Sequence, residues 1–80
     1  MTLRVLAFAR VRELLGSVRD VELPPGSTAA DLWATLEAQT AELRALAGST
    51  RVARNGRIVK PDSVLQDGDE IALLPPAGGG

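Results

Sequence analysis

Turn-forming residues cut this chain so often that only one stretch leaves room for a helix of several turns. Gly16, Pro24-Pro25-Gly26, Asn55-Gly56, Pro61-Asp62, Asp67-Gly68-Asp69 and Pro75-Pro76 each mark a break. The pieces between them are short. Residues 3–9 form an apolar run with β-branched and aromatic members. Residues 18–23 alternate Val18, Asp20 and Glu22 against Arg19, Val21 and Leu23, the two-residue period of a strand. Residues 51–54 and 58–60 flank Asn55-Gly56, a pair suited to a type I′ hairpin turn because both central residues need positive φ. Residues 70–74 make the last strand.

Two segments carry helical spacing. Residues 10–15 place Val11, Leu14 and Leu15 on one side and end at Gly16, which suits a helical turn closed by a glycine. The connection is short, so the strands on either side are expected to pair antiparallel. Thr28-Ala29-Ala30-Asp31 has the form of a capping box and opens the main helix, with Ala29, Leu32, Trp33 and Leu36 on one face. Trp33 is assigned to the core rather than to a ligand stack. The pattern weakens at Gln39-Thr40 and resumes at Leu43 and Leu46, which predicts a break or a second short helix before Gly48. The order β-β-α-β-(β)-β predicts an α+β, ubiquitin-like β-grasp fold. A mixed four- to five-stranded sheet would pack on one main helix plus short helices, with the domain over residues 1–74 and a flexible tail over residues 75–80.

That tail limits the chemistry. Leu73-Leu74-Pro75-Pro76-Ala77-Gly78-Gly79-Gly80 runs from a strand into two prolines and then three glycines. Pro75 and Pro76 cannot donate to a sheet ladder, so they stop the strand and hold the chain away from the body. Glycine has no Cβ, so Gly78, Gly79 and Gly80 can pass through a narrow slot. Residues 75–80 span roughly 20 Å when extended, at ~3.3 Å per residue, enough to thread a partner's active site. Two readings stay open on these residues alone: a frayed end without a role, and a terminus that itself carries the reactive group.

Composition removes most alternatives to a reactive terminus. The chain has 80 residues with neither Cys nor His. Thiolate nucleophiles, disulfides, zinc sites of the usual kind and imidazole acid–base catalysis are therefore absent. No hydroxyl or carboxylate sits in a recognisable nucleophile-and-base motif. The net charge is −1 and Lys60 is the only lysine, so no basic stripe is available to neutralise a phosphate backbone, and nucleic acid is not expected as a partner. Arg51, Arg54 and Arg57 read as a solvated hairpin face. No secretory core and no apolar stretch near the ~20 residues of a membrane span is present, so the expectation is a cytoplasmic protein without a membrane partner.

The strands also suggest a docking face. In residues 3–8, Leu3, Val5 and Ala7 alternate with Arg4, Leu6 and Phe8, and in the last strand Ile71 and Leu73 alternate with Ala72 and Leu74. Both faces are apolar, but one helix covers only one of them. If these strands are neighbours, Leu6, Phe8 and Leu74 form an exposed apolar patch at the root of the tail. The competing reading is that loops cover it.

The run Val5-Leu6-Ala7-Phe8-Ala9-Arg10-Val11-Arg12-Glu13-Leu14-Leu15-Gly16 and the ending from Leu65 through Asp67-Gly68-Asp69-Glu70 to Gly80 resemble the small subunit of molybdopterin synthase, the MoaD type. The resemblance spans the whole length. It implies that an ATP-dependent activating enzyme of the MoeB type adenylates the Gly80 carboxylate, and that sulfur then replaces AMP to leave a thiocarboxylate. It also implies that Pro75, Pro76, Ala77, Gly78 and Gly79 insert into a large subunit of the MoaE type. That subunit supplies the catalytic side chains for dithiolene formation on cyclic pyranopterin monophosphate in molybdenum cofactor biosynthesis, commonly in a heterotetramer. On this reading Phe8, Leu6 and Leu74 bind the partner. The carrier itself holds no cofactor and no metal, and ATP is used by the activating enzyme. Arg10, Arg12 and Glu13 match the family motif and are given a structural role. Three alternatives remain: a ubiquitin-like protein modifier, a carrier for another thiolation pathway, and a non-catalytic docking module.

Overall fold

The first and last strands, β1 (Thr2–Ala7) and β5 (Glu70–Leu74), lie side by side and parallel in the computed structural model, which describes residues 1–76. Parallel neighbours cannot be joined by a tight turn, and here the rest of the chain makes the crossover. Strand β2 (Val18–Glu22) pairs antiparallel with β1, β3 (Arg51–Arg54) pairs antiparallel with β5, and the two-residue β4 (Arg57–Ile58) closes the far edge. The mixed sheet has the order β2-β1-β5-β3-β4.

Helix α1 (Ala9–Leu15) links β1 to β2 and ends at Gly16, whose φ of 85° turns the chain while its N–H donates to the Arg12 carbonyl. It starts one residue earlier than the periodicity predicts, and β1 ends at Ala7 rather than Ala9 because Ala9 takes a left-handed φ of 53° that no strand accommodates. The main helix α2 (Ala29–Gln39) begins on the expected capping box. Asp31 N–H donates to Thr28 Oγ1 at 3.2 Å, and Asp31 Oδ2 accepts the Thr28 N–H at 2.9 Å. The pattern break at Gln39-Thr40 is the end of α2, and a 3₁₀ helix (Ala41–Leu46) follows it.

The core lies between α2 and one face of the sheet. Leu3 and Val5 from β1, Ile71 and Leu73 from β5, Leu32 and Leu36 from α2, Leu43 from the 3₁₀ helix and Leu65 are all buried. Each such side chain contributes roughly 1.5–3 kcal/mol by leaving water. Trp33 departs from its expected place in the core. It is only half-buried at the edge, and its indole Nε1 donates to Glu37 Oε2 at 3.0 Å.

Asp69 is more than the turn residue that its Asp-Gly-Asp setting suggests. Its buried carboxylate accepts from Arg54 Nε at 2.6 Å, Asn55 Nδ2 at 2.9 Å and the Gln66 N–H at 2.7 Å. Its carbonyl accepts from the Arg4 N–H, and the neighbouring Glu70 exchanges two hydrogen bonds with Asn55. The β3–β4 turn is a type I′ turn, with φ of 48° at Asn55 and 88° at Gly56. It is thereby tied to the start of β5.

Burial pushes the Asp69 carboxyl up, but the Gln66 N–H, the Arg54 guanidinium and the Asn55 amide outweigh it and hold it below the ordinary carboxylate range. A depressed folded-state pKa adds stability that is present above the unfolded value of ~3.9 and is lost as pH falls through the folded value. Asp69→Asn is expected to cost about 1–3 kcal/mol at neutral pH. Urea denaturation of both proteins at pH 7 and pH 3 checks this: the gap between them should narrow at the lower pH.

Candidate functional site

The face of the sheet turned away from α2 is apolar along a continuous row. Cross-strand partners share a face, and the register sets Val18 opposite Leu6, Leu6 opposite Ala72, Ala72 opposite Ala53 and Ala53 opposite Ile58. The row therefore crosses all five strands. Phe8 is still extended, with φ −131° and ψ 159°, and continues the alternation of β1 onto this face. Ala7 pairs with Leu73, so Phe8 and Leu74 come level one step further toward the tail. Leu6, Phe8 and Leu74 are thus brought together on the side opposite the core, as the alternation predicts.

The row is open to solvent along most of its length, and Ala53 alone of its members is buried. Phe8 is 43% exposed, Val18 50% and Ile58 54%, and Leu6, Ala72 and Leu74 are partly exposed. Val18, Ala53 and Ile58 are missing from the sequence reading. A two-residue Asn-Gly turn already sets Ala53 across from Ile58, so that signal was present. Their membership also depends on β3 lying beside β5, which local pattern does not disclose. On the same face, away from the tail, Arg4 stands between Asp20 and Glu70, so the apolar row is bounded by charges of alternating sign.

The tail leaves from the apolar end of this face. Leu74 is the last residue of β5 and pairs with Arg51. Pro75 and Pro76 follow, exposed and outside the ladder. The expected tail residues Ala77, Gly78 and Gly79, and the expected reactive residue Gly80, lie outside the described residues. Arg10 and Glu13 form an exposed i,i+3 ion pair at 3.1 Å on α1, a contact worth at most about 1 kcal/mol and local to the helix. Among the described residues no group of acidic side chains could hold a metal ion, and no helix is long and apolar enough to cross a membrane. The arrangement can dock a partner across an apolar face with Pro75-Pro76, the root of the tail, beside it.

The two faces differ in what they tolerate. Phe8→Asp is expected to change unfolding free energy by no more than about 1 kcal/mol. Leu73→Asp, one residue from Leu74 but pointing into the core, should cost about 4 kcal/mol or more. Urea titration followed by circular dichroism separates the two.

Comparison with known proteins adds independent information. Residues 5–80 match the ThiS family. The sequence is 36% identical to a molybdopterin synthase sulfur carrier subunit from Chlamydomonas reinhardtii, over 100% of each chain. Among solved structures, SAMP1 from Haloferax volcanii, a small archaeal modifier protein, matches with a TM-score of 0.85 and 26% identity over 100% of both chains. A chain from the complex of subunits 1 and 2 of the molybdopterin-converting factor of Helicobacter pylori shares the fold, with a TM-score of 0.71 and 23% identity over 100% of both chains.

Proposed function

The chain belongs to the ThiS family, and from that membership we propose that it is the sulfur carrier subunit of a molybdopterin synthase. The observation that carries this reading is the identity to such a subunit over the whole length of both chains, joined to an ending in Gly78-Gly79-Gly80. An oxygen of the Gly80 carboxylate attacks the α-phosphorus of ATP on an activating enzyme, and pyrophosphate leaves. The carboxylate alone is a poor acyl electrophile because oxide is a poor leaving group. The mixed anhydride with AMP offers a good one. Sulfide, HS−, then attacks the acyl carbon, the C–O bond to AMP breaks with its electron pair on AMP, and the chain end carries a thiocarboxylate after loss of the thiol proton.

The carrier's own residues act by presentation. Gly78 and Gly79 give clearance, Pro75 and Pro76 direct the tail away from the sheet, and Leu6, Phe8 and Leu74 seat the large subunit beside its root. That subunit contributes the catalytic side chains and moves the sulfur onto cyclic pyranopterin monophosphate. Each dithiolene needs two sulfurs, so a spent carrier must leave and a charged one must bind. This favours an interface that is specific but reversible. An exposed apolar row on an otherwise charged body fits such use. The complex of the two converting-factor subunits in a protein of the same fold is in keeping with a large-subunit partner.

A second reading has its own observation. The match to a small archaeal modifier protein at 26% identity favours a chain whose Gly80 is joined to lysines of other proteins after the same activation step. Intact mass after incubation with the host activating enzyme, ATP and a sulfur donor decides whether the carrier chemistry occurs. The expected outcome is a gain equal to replacing one oxygen by sulfur, absent from a variant lacking Gly80. Isopeptide-linked Gly80 on cellular proteins without that gain would instead establish the modifier.

The interface has its own test. Phe8→Asp is expected to weaken binding to the large subunit about tenfold or more, through loss of one buried aromatic contact and burial of an unpaired charge. Titration calorimetry measures it, and unchanged affinity would remove Phe8 from the interface.

A further inference from the structure

The outer face carries charge as well as apolar surface, and the two signs stand at opposite corners. Arg51 on β3 pairs with Leu74, one register step from the apolar row toward the tail. Asp20 on β2 pairs with Arg4, one step from the row in the other direction. Glu22 and Glu70 lie toward that same end and keep it acidic in spite of Arg4. Arg51 and Asp20 are both exposed, and neither has an ion pair among the described residues. Three strand spacings separate them across the sheet, roughly 14 Å at ~4.8 Å each, and four residues of rise separate them along it, roughly 13 Å at ~3.3 Å each. The midpoint of this diagonal falls on the apolar row, between Leu6 and Ala72.

Because the two legs of the diagonal are nearly equal, the face is complementary to itself. A two-fold axis lying in the face, perpendicular to the diagonal at its midpoint, sets a second copy face to face with the first. The strands of the two copies then cross at about 90°, one of the two common ways in which sheets pack. Arg51 of each copy lies over Asp20 of the other, and Val18 of each lies between Phe8 and Leu74 of the other. An axis parallel to the strands brings neither charge to its opposite.

We propose that free copies of this protein pair through the outer face as an isologous dimer, with the apolar rows crossed at the centre and an Arg51–Asp20 ion pair at each of two symmetric corners. Five strands at ~4.8 Å spacing and about six residues of each make a face on the order of 400 Å2 per copy. That is about half of the ~800 Å2 per partner in a stable complex, so the dimer is weak and gives way to a larger partner. It covers the face that the proposed function assigns to the large subunit, and the two associations compete. The dimer follows from the face itself and does not depend on the carrier reading.

Analytical ultracentrifugation of the full chain from about 10 μM to about 1 mM tests the pairing. The weight-average mass of the native protein is expected to rise with concentration toward twice that of the monomer. Arg51→Glu and Asp20→Arg should each raise the dissociation constant about tenfold, because each reverses a charge at two symmetric corners. The combined variant Arg51→Glu/Asp20→Arg restores the pairs with their signs exchanged and should return to within about threefold of the native value. Val18→Asp should abolish the dimer. All four sites of change are exposed, so the urea midpoints should match that of the native protein. A native chain that stays monomeric at the highest concentration, a dimer indifferent to either charge reversal, or single losses that the combined variant does not restore would each overturn the inference. Those results leave the carrier reading standing, since the mass gain at Gly80 tests it separately.

Discussion

The parallel pairing of β1 with β5 is the constraint from which the other features follow. It places the first and last strands side by side within the sheet, so Pro75, the root of the tail, follows a strand with neighbours on both sides rather than an edge strand. A parallel pair needs a long crossover, and the crossover supplies α2, the only helix among the described residues long enough to cover a sheet face. With one face covered and the central strands apolar on both sides, the second face has to be apolar and uncovered. Fold and exposed apolar face thus have the same cause.

Holding β5 in register is the task of Asp69. A one-residue slip of β5 would turn Ile71 and Leu73 outward and bury Ala72 and Leu74, which would empty the core and remove the outer row together. Asp69 opposes such a slip at the first turn of the strand, because its carboxylate is bonded to Arg54, Asn55 and Gln66 at once. A buried carboxylate is costly unless its lone pairs are satisfied, and here the three donors come from two separate segments of chain. The geometry is specified because only one register satisfies all of them.

Local signals disclosed the elements and left their partners open. The capping box at Thr28 and Asp31, the Asn55-Gly56 turn and the glycine after α1 are decided by backbone chemistry within four residues, so they are legible in the sequence. The alternation of Leu3, Val5 and Ala7 against Leu6 and Phe8 was legible for the same reason. Asp69 was not, because an Asp-Gly-Asp run reads as a turn whether or not its second carboxylate is buried, and two of its three partners, Arg54 and Asn55, lie 15 and 14 residues away. Trp33 illustrates the same limit. Helical spacing puts it beside Leu32 and Leu36, but the width of the core decides that it stops half-way, where an engaged Glu37 completes its hydrogen bonding. The proposed reactive end rests on composition alone: a chain without Cys or His whose last three residues are glycine.

The proposed function requires that the domain be recognised by at least two proteins while offering neither of them a catalytic side chain. The domain then has to be read as a shape, and a small domain has little shape to spare. A chain of this size buries only about 60% of its unfolded surface, so every apolar side chain left outside is stability forgone. Phe8, Val18 and Ile58 are three such side chains on one face. Had they been polar, the monomer would lose almost nothing and a partner would lose the only broad apolar ground beside the tail. Their exposure is most simply explained by a covered state in which the stability forgone by the free domain is recovered at the interface. In the proposed function that recovery exists only while the partner is bound, so the same residues suit the exchange of the carrier that the proposal assigns after each sulfur.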